Sequence, residues 1–458
     1  MTTEAVSSID TSTEQTERML SLSDALFAIA ITFLALDIGD VAGLVPGDVG
    51  QFLYERLADY LVYFGTFVLV GYLWWRHHLI FRYIKGRNAG LSWLNILLLA
   101  LVAALPYPAA LVREARGMGL ALAMLLVPLT AIGLLLWAEW EVAFHFRLVI
   151  PDLPVETTRY IRATVVSTPL VLAVASVVAL VSWQRDSSQL CLAAAVVGLL
   201  LLVAPSVLRL RWPTPEQAVE YLPDSVADAE VSADVALADS NQRARSMLTR
   251  IRNGSDADRL KVLTDGVVAI AVTILALQLR PPPIGTDITN SALLSNLASA
   301  PWYPYFLTFG IAGVFWLGHV RIFERVQGVD TVLIWLNLIF LMFIAFLPLP
   351  TELLAVASKG DAVLIEVLYL SVMFIVSVVS FTMSTYAMWA KHIARPRSTR
   401  KADLMSITSS AIGCLAFLVA IVLVSATGNP AFYGSFALVF LLRSSIIKAI
   451  YGERLTER

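Results

Sequence analysis

Charged side chains are scarce in this chain. They make up 15% of its 458 residues, whereas about a quarter of the residues in an ordinary soluble domain are charged. Hydrophobic residues make up 58%, and the mean hydropathy is +0.74. Apolar runs of membrane-spanning length follow one another, without the alternation of polar and apolar residues found in the strands of a membrane barrel. The composition therefore predicts an all-α polytopic membrane protein.

Residues with reactive or metal-binding chemistry are also few. The two cysteines, Cys191 and Cys414, lie in apolar segments and imply no disulfide framework. The sequence has no P-loop, no zincin motif, no glycine-rich dinucleotide turn and no ligand spacing typical of a metal site. We therefore expect no enzymatic activity, no cofactor and no bound metal. The regularly spaced arginines of a voltage sensor and the Thr-Val-Gly-Tyr-Gly filter segment are missing too.

Twelve apolar segments have the length of a membrane-spanning helix, and they divide into two sets of six. The first set lies at roughly 18–38, 52–80, 90–113, 117–146, 160–183 and 188–210, and the second at roughly 259–280, 300–326, 331–357, 362–394, 402–426 and 430–450. The predicted domain boundaries are an N-terminal tail (1–17), a first six-helix repeat (18–211), a linker (212–257), a second repeat (258–452) and a C-terminal tail (453–458).

One pattern opens both sets. The first copy consists of Arg18, Ser23, Asp24, Ile29, Thr32 and Leu36. The second copy follows 241 residues later with Arg259, Thr264, Asp265, Ile270, Thr273 and Leu277. In the next two helices Trp74, His77 and Asn95 are matched, at an offset of 242, by Trp316, His319 and Asn337. The chain therefore contains an internal repeat, which is clearest in the first three helices of each half.

The number of spans and the loop charges predict the orientation. Six spans per half is an even number, so both halves enter the membrane in the same direction and form parallel repeats. The loops after the second and fourth helices of each half are rich in arginine and lysine, which places both termini and the linker in the cytoplasm. Residues 1–17 lack the basic start of a signal peptide. Glu139 and Glu141 lie close to the cytoplasmic end of the fourth helix, where solvation at the interface is expected.

An aspartate near the start of an apolar helix is costly, because a charge in a low-dielectric setting needs partners. The repeated polar residues of the second and third helices are available for this. We therefore predict a network that couples the first three helices of each half, with a purely structural role as the alternative. Its members are Arg18, Ser23, Asp24, His77 and Asn95 in the first half, and Arg259, Thr264, Asp265, His319 and Asn337 in the second.

The remaining repeated residues form a stripe on the first helix of each half. At 100° per residue, the isoleucine, threonine and leucine of one copy fall within about 60° of one another, and the aspartate lies off the stripe. Such a stripe is able to face an axis, whereas ordinary packing or lipid contact is the alternative. Because the stripe is duplicated, we favour the axis. Its members are Ile29, Thr32 and Leu36, and then Ile270, Thr273 and Leu277.

The repeated motifs resemble those of the transmembrane protein 175 family of potassium channels. From Arg18 to Asp24 the sequence reads Arg-x-x-x-Leu-Ser-Asp, which is similar to the family signature Arg/Lys-x-x-x-Phe-Ser-Asp. The Trp-x-x-His of the second helix and the Leu-Asn…Phe-Leu-Pro of the third, at 336–348, also resemble the family. Leu22 and Leu263 depart from the pattern by replacing phenylalanine, and Thr264 departs from it by replacing serine.

The resemblance implies that four six-helix repeats surround a pore lined by the first helix of each repeat. For a two-repeat chain it implies a homodimer with pseudo-fourfold symmetry, in contact with potassium ions and the lipid bilayer and not with nucleic acid. It implies a constriction at Ile29 and Ile270, with the other residues of the stripes continuing the pore wall. Potassium selectivity follows from the resemblance alone, since an isoleucine ring gates by dewetting without choosing an ion.

A secondary transporter is the main alternative, because two parallel six-helix halves joined by a cytoplasmic linker also describe the major facilitator architecture. Residues 81–90, after the second helix, lack the Gly-x-x-x-Asp-Arg-type motif that usually marks this loop in that architecture. A membrane scaffold without transport would not need the repeated stripe. We therefore predict a potassium-permeable channel in a bacterial plasma membrane, or in an endolysosomal membrane if the chain is eukaryotic.

Overall fold

A computed structural model gives the architecture of the chain. The structure describes residues 3–36, 38, 41, 44–45, 47–115, 117–150, 153, 155–199, 255–277, 279, 301–326, 328–356, 361–390, 393, 400–429 and 434–436. The chain divides into two compact units. Unit 1 comprises Met1–Leu34 and Val62–Leu263, and unit 2 comprises Ala35–Leu61 and Thr264–Arg458.

The described secondary structure is helical, apart from an isolated antiparallel bridge between Ile84 and Val149. In the first half the helices are α1 (Thr3–Phe33), α2 (Val49–Glu55), α3 (Leu57–Phe81), α4 (Ala89–Ala104), α5 (Pro106–Glu114), α6 (Gly119–His145), α7 (Val155–Gln184) and α8 (Ser188–Leu199). In the second half they are α9 (Ser255–Leu277), α10 (Trp302–Phe323), α11 (Thr331–Ala345), α12 (Pro348–Val356), α13 (Ala362–Trp389) and α14 (Arg400–Thr427).

Nine helical segments of the described residues are long and apolar enough to cross a membrane: Leu57–Phe81, Ala89–Glu114, Gly119–His145, Thr157–Gln184, Ala257–Leu277, Trp302–Phe323, Thr331–Val356, Ala362–Trp389 and Leu404–Thr427. They coincide with predicted spans two to five of the first half and one to five of the second. The count of twelve stays a prediction, because most of 430–450 and the end of 188–210 lie outside the described residues.

The first helix differs from its prediction at both ends. It begins at Thr3, so most of the predicted 1–17 tail is continuous with it. It ends at Phe33, and residues 34–36 form a turn. The predicted azimuth of Leu36 assumed a longer helix and does not hold. Its repeat α9 stays helical through Leu277.

The predicted linker and C-terminal tail fall almost entirely outside the part of the chain that the structure describes. Of the linker, 212–257, only Ser255–Ala257 is described, and these residues already belong to α9. None of the tail, 453–458, is described.

The third span of each half is broken at a proline in the same place. Helix α4 ends at Ala104 before Pro106, and α11 ends at Ala345 before Pro348. Proline has no N–H to donate to the preceding turn, and its ring clashes with that turn, which favours a break at this point. The repeat in sequence is therefore also a repeat in local structure.

The same span starts with a side-chain cap in both halves. The Asn88 side chain accepts a hydrogen bond from the N–H of Leu91 at 2.8 Å, and the Asp330 carboxylate accepts one from the N–H of Leu333 at 2.9 Å. Each cap satisfies one of the N–H groups that the first turn of a helix leaves unpaired. These caps fix where the third span begins beside the first helix of its repeat.

Helices α6 and α7 of unit 1 pack against each other through small residues. A Cβ atom added to Gly119 would lie 2.6 Å from the carbonyl oxygen of Ala179, and one added to Gly133 would lie 3.1 Å from the backbone nitrogen of Pro169. A side chain at either position would therefore push the two helices apart. This tight pair holds Glu139, further along α6, inside the unit.

Candidate functional site

Asp24 is buried in α1, with 1% of its surface exposed. The indole N–H of Trp74 on α3 donates to Asp24 Oδ1 at 2.9 Å. Next to it, the Asn95 side-chain amide on α4 donates to Ser23 Oγ at 3.1 Å, and His77 Nε2 lies 3.0 Å from Asn95 Oδ1. The structure thus brings Ser23, Asp24, His77 and Asn95 together from the first three spans, with Trp74 as a further member of this Asp24 cluster.

The arginine of the Asp24 cluster comes from the second half of the chain. Arg259 lies in the part of α9 that belongs to unit 1. Its Nε donates to Asp24 Oδ2 at 3.0 Å, and its Nη2 donates to Asp24 Oδ1 at 2.6 Å. The same Nη2 lies 3.0 Å from His77 Nδ1. This two-pronged pairing has the geometry in which a guanidinium binds a carboxylate most strongly.

Arg18, which we predicted to be a member of this cluster, does not reach it. Arg18 is exposed, and within the described residues it makes no hydrogen bond or ion pair. It precedes Asp24 by six residues on one helix, so the two side chains point about 120° apart. Only residues three or four apart are neighbours on a helix surface. The predicted contact is therefore replaced by one from the equivalent arginine of the other repeat.

The hydrogen bonds of the Asp24 cluster run in one direction. A guanidinium only donates, so His77 Nδ1 accepts from Arg259 and carries no proton. His77 Nε2–H then donates to Asn95 Oδ1, Asn95 Nδ2 donates to Ser23 Oγ, and the Ser23 hydroxyl donates to the carbonyl of Met19 at 2.9 Å. His77 is thus a neutral imidazole whose tautomer is set by Arg259. Each member has a partner, which makes the cluster a rigid coupling between helices.

The second repeat has equivalent hydrogen bonds within unit 2. His319 Nε2 lies 2.9 Å from Asn337 Oδ1, and Asn337 Nδ2 donates to Thr264 Oγ1 at 2.9 Å. The indole N–H of Trp316 donates to Asp265 Oδ1 at 2.7 Å. Asp265 differs from Asp24 in being exposed and in having no ion-pair partner among the described residues. The second repeat therefore has the same polar cluster without its arginine.

The two stripes of the first helices are exposed to different degrees. Ile29 and Ile270 are both half-buried. Thr32 is buried, and its hydroxyl donates to the carbonyls of Ala28 and Ile29, each at 2.9 Å. The hydroxyl of Thr273 is exposed and donates to the carbonyl of Ile270 at 2.8 Å. Both hydroxyl protons are thus committed to their own helices.

The leucines that end the stripes are both exposed, but only one belongs to a helix. Leu277 is 65% exposed in the last turn of α9, while Leu36 is 39% exposed in the turn that follows α1. The structure therefore gives the second repeat an open stripe of three residues. In the first repeat the buried threonine separates two accessible apolar residues.

Sequence reasoning missed the environment of Glu139. Glu139 is fully buried, and neither carboxyl oxygen has a hydrogen-bond partner among the described residues. Its neighbour Glu141 behaves as expected for the interface, because it forms an exposed ion pair with Arg162 at 2.6 Å. The two glutamates are two residues apart and so lie on different sides of α6. That spacing was the one signal in the sequence that their surroundings differ.

Comparison with known proteins finds a family model that matches the repeated segments. The family model of the endosomal/lysosomal potassium channel TMEM175 matches residues 18–106 and 259–348. These are the first three spans of each half, and they contain both polar clusters and both stripes.

Relatives of known description match parts of the chain. A potassium channel of Streptomyces collinus is 35% identical over 127 residues, which cover 27% of this chain and 62% of that protein. The endosomal/lysosomal proton channel TMEM175 of Gallus gallus is 39% identical over 106 residues, which cover 21% of each chain. The chain thus spans less than two thirds of the length of these relatives.

A solved structure is also similar. The crystal structure of a lysosomal potassium-selective channel TMEM175 homolog from Chamaesiphon minutus shares 24% sequence identity with this chain. The match covers 43% of this chain and 98% of that one, with a TM-score of 0.34. The apolar helices indicate a multi-pass membrane protein, and the first three spans of each half are similar to the TMEM175 family, so the chain matches the sequence of that family twice.

Proposed function

We propose that the chain is a potassium-permeable cation channel with termini on the cytoplasmic side of its membrane. The observation that carries this proposal is the family match of both halves over the helices that hold the Asp24 cluster and its repeat. Relatives that match the chain are named potassium channels. The same hydrogen-bond network is duplicated around the first helix of each repeat, which supports a shared role for α1 and α9.

In this proposal the pore is lined by α1 and α9, and its narrowest point is a ring of Ile29 and Ile270 side chains. A ring of aliphatic side chains disfavours water and so gates ion flow by dewetting. Both isoleucines are half-buried, as expected for residues that face a narrow space. Thr273 and Leu277 continue the wall of the second repeat. In the first repeat Leu36 continues it, and Thr32 contributes through packing.

Two copies of the chain supply the four repeats of the proposed pore. The argument rests on charge. Within one chain, Arg259 of the second repeat neutralises Asp24 of the first. Asp265 and Arg18 have the equivalent positions in the repeats, and both side chains are exposed. A second copy would place its Arg18 on Asp265, and the same contact in reverse would close a ring of four alternating pairs with twofold symmetry.

Charge reversal tests this pairing. Arg18→Glu and Asp265→Arg should each shift the purified protein from two copies of the 50.1 kDa chain to one, because like charges would then face each other. Combining both substitutions restores the attraction, so we expect the dimer to return. The measurement is native mass spectrometry in mild detergent. A double variant that stays monomeric, or single variants that stay dimeric, would refute the pairing.

Reversal potentials distinguish the channel from a secondary transporter of two parallel halves. With potassium chloride on one side of a bilayer and sodium chloride at the same concentration on the other, the current through purified protein should reverse at a potential that is negative on the potassium side. That reversal potential shifts by about 59 mV for each tenfold preference for potassium over sodium. A current that needs a second coupled solute, or transport by a stable monomer, would favour the transporter.

A further inference from the structure

Arg76 is a buried arginine without a counter-charge. It lies on α3 inside the membrane-spanning segment Leu57–Phe81 and is 0% exposed. Among the described residues no carboxylate forms an ion pair with it, and its Nη1 is buried without a hydrogen-bond partner. Gly318 occupies the equivalent position of the second repeat. The buried arginine therefore belongs to the first repeat alone.

The groups that do contact the Arg76 guanidinium are neutral. Its Nε donates to the hydroxyl oxygen of Tyr72 at 2.7 Å, and its Nη2 donates to the same oxygen. The guanidinium also lies over the rings of Tyr72 and Trp75, 4.6 Å from each ring centroid. These contacts fix the position of the guanidinium and offset part of its charge. They supply no full negative charge, and an unpaired charge inside a membrane protein is costly.

Hydrogen bonds connect the guanidinium to α7. The Tyr72 hydroxyl accepts from Arg76, so its own proton is available to Thr168 Oγ1, which lies 3.5 Å away. The Thr168 hydroxyl donates to the carbonyl of Thr164 at 3.4 Å, and the hydroxyl of Thr164 is buried without a partner. Successive spans cross the membrane in opposite directions, so α3 and α7, the second and fifth spans, are antiparallel. Arg76, one turn after Tyr72, therefore lies level with Thr164, one turn before Thr168.

Helix α6 adds a third donor from Trp140. A Cβ atom added to Gly133 would lie 3.2 Å from the side chain of Thr168, so this face of α6 lies against α7. Trp140 follows Gly133 by seven residues, or two turns, and so lies on the same face. The contacts of Gly119 and Gly133 described above show that α6 and α7 run in opposite directions. Trp140 therefore faces the turn of α7 that contains Thr164, and its indole N–H is buried without a described partner.

We propose that Arg76 Nη1, the Thr164 hydroxyl and the Trp140 indole N–H bind one chloride ion between α3, α6 and α7. Each of these groups has a proton to donate. Water would satisfy the donors but leave the guanidinium charge uncompensated, whereas an anion does both. Glu139, next to Trp140 along α6, does not neutralise Arg76, because its carboxyl oxygens have no described partner either. A small inorganic ion suits the site better than a lipid phosphate, because Arg76 is fully buried.

The test uses the purified full chain in potassium gluconate and needs no ion flux, so it is independent of the proposed channel activity. Chloride replaces gluconate at constant ionic strength. At about 100 times its dissociation constant, chloride should raise the melting temperature by about 2–4 °C, because it binds the folded state alone. The NMR line of the chloride ion should broaden in proportion to the protein added. Arg76→Gln should remove both effects. Arg162→Gln is the matched control, because it removes an exposed arginine of α7 that pairs with Glu141, and it should keep both effects.

The proposal is overturned if chloride has neither effect on the wild type, if R76Q retains either effect, or if R162Q loses either of them. Should R76Q fail to fold, Thr164→Val decides. This variant keeps the shape of the side chain and removes its hydroxyl, so chloride should bind about tenfold more weakly. Unchanged binding to T164V would then rule the site out. Stabilisation by phosphatidylglycerol vesicles without any effect of chloride would assign the guanidinium to a lipid phosphate and refute the chloride site.

Discussion

Replacing Arg259 with glutamine lowers the free energy of unfolding by about 3–5 kcal/mol, the range measured when one partner of a buried ion pair is removed. Asp24 is 1% exposed, and without Arg259 it keeps a single described donor to its carboxylate, the indole of Trp74. His77 also loses the donor that sets its tautomer. Thermal or denaturant unfolding in detergent measures the change.

Arg18→Gln is the matched control for R259Q. Arg18 has the equivalent place in the repeat but is exposed and unpaired within the described residues, and exposed charges contribute about 0–1 kcal/mol. R18Q should therefore leave the unfolding of the chain nearly unchanged while weakening the proposed dimer. If R18Q and R259Q destabilise the chain equally, the assignment of Arg259 to Asp24 is wrong.

A double substitution separates the ion pair from ordinary packing. Asp24→Asn alone should be costly, because it leaves the Arg259 charge without its carboxylate. Adding R259Q removes both charges, so the double variant should be more stable than the sum of the two single effects predicts. The difference should reach about 0.5–3 kcal/mol, the coupling typical of residues in direct contact. Additive effects would show that the two groups act independently.

The polar clusters could be predicted from the sequence because their residues repeat at constant offsets. A serine or threonine, an aspartate, a histidine and an asparagine recur together only if the same helices meet in the same way, and the structure shows that contact in both halves. The sequence could not show which arginine serves Asp24, because Arg18 and Arg259 have equivalent positions in the two repeats, each six residues before the aspartate. Only the packing of α9 in unit 1 separates them.

The end of the first helix and the burial of Glu139 could not be predicted from the sequence. The apolar run after Asp24 continues past Phe33, so hydropathy alone extended the first helix to residue 38. The structure ends α1 at Phe33 and carries α9 through Leu277. Glu139 was predicted to lie at the interface because it is close to the end of its helix. Its burial depends on the neighbouring helices, which the distance from the end of α6 does not reveal.

The two repeats share a network of hydrogen bonds, but the aspartate of this network is buried in the first repeat and exposed in the second. Asp24 is buried with an arginine, and Asp265 is exposed without one. Buried charges are stable only when paired, so the cluster that is complete within one chain is the buried one. The open cluster is the one that a further copy is able to complete. One chain therefore pairs one of the two repeated aspartates, Asp24, with an arginine, as expected if an even number of chains forms the assembly.

Replacing both Ile29 and Ile270 with asparagine should raise the conductance of the proposed channel and weaken its discrimination between potassium and sodium. Asparagine is smaller and polar, so the proposed constriction becomes wider and holds water, and ions pass it with their hydration shells intact. Each 1.4 kcal/mol removed from the barrier raises the flux about tenfold. Single-channel currents in bilayers with potassium and sodium on opposite sides measure conductance and reversal potential together.

The matched control for the asparagine pair is Ile29→Leu with Ile270→Leu, which preserves the number of carbon atoms and the apolar character. The conductance and the reversal potential should stay close to those of the wild type, because the barrier depends on hydrophobicity at these positions. If the leucine and asparagine pairs behave alike, the effect comes from disturbed packing of α1 and α9. If the asparagine pair conducts as the wild type does, the isoleucines lie outside the conduction path, and the stripes serve packing or lipid contact.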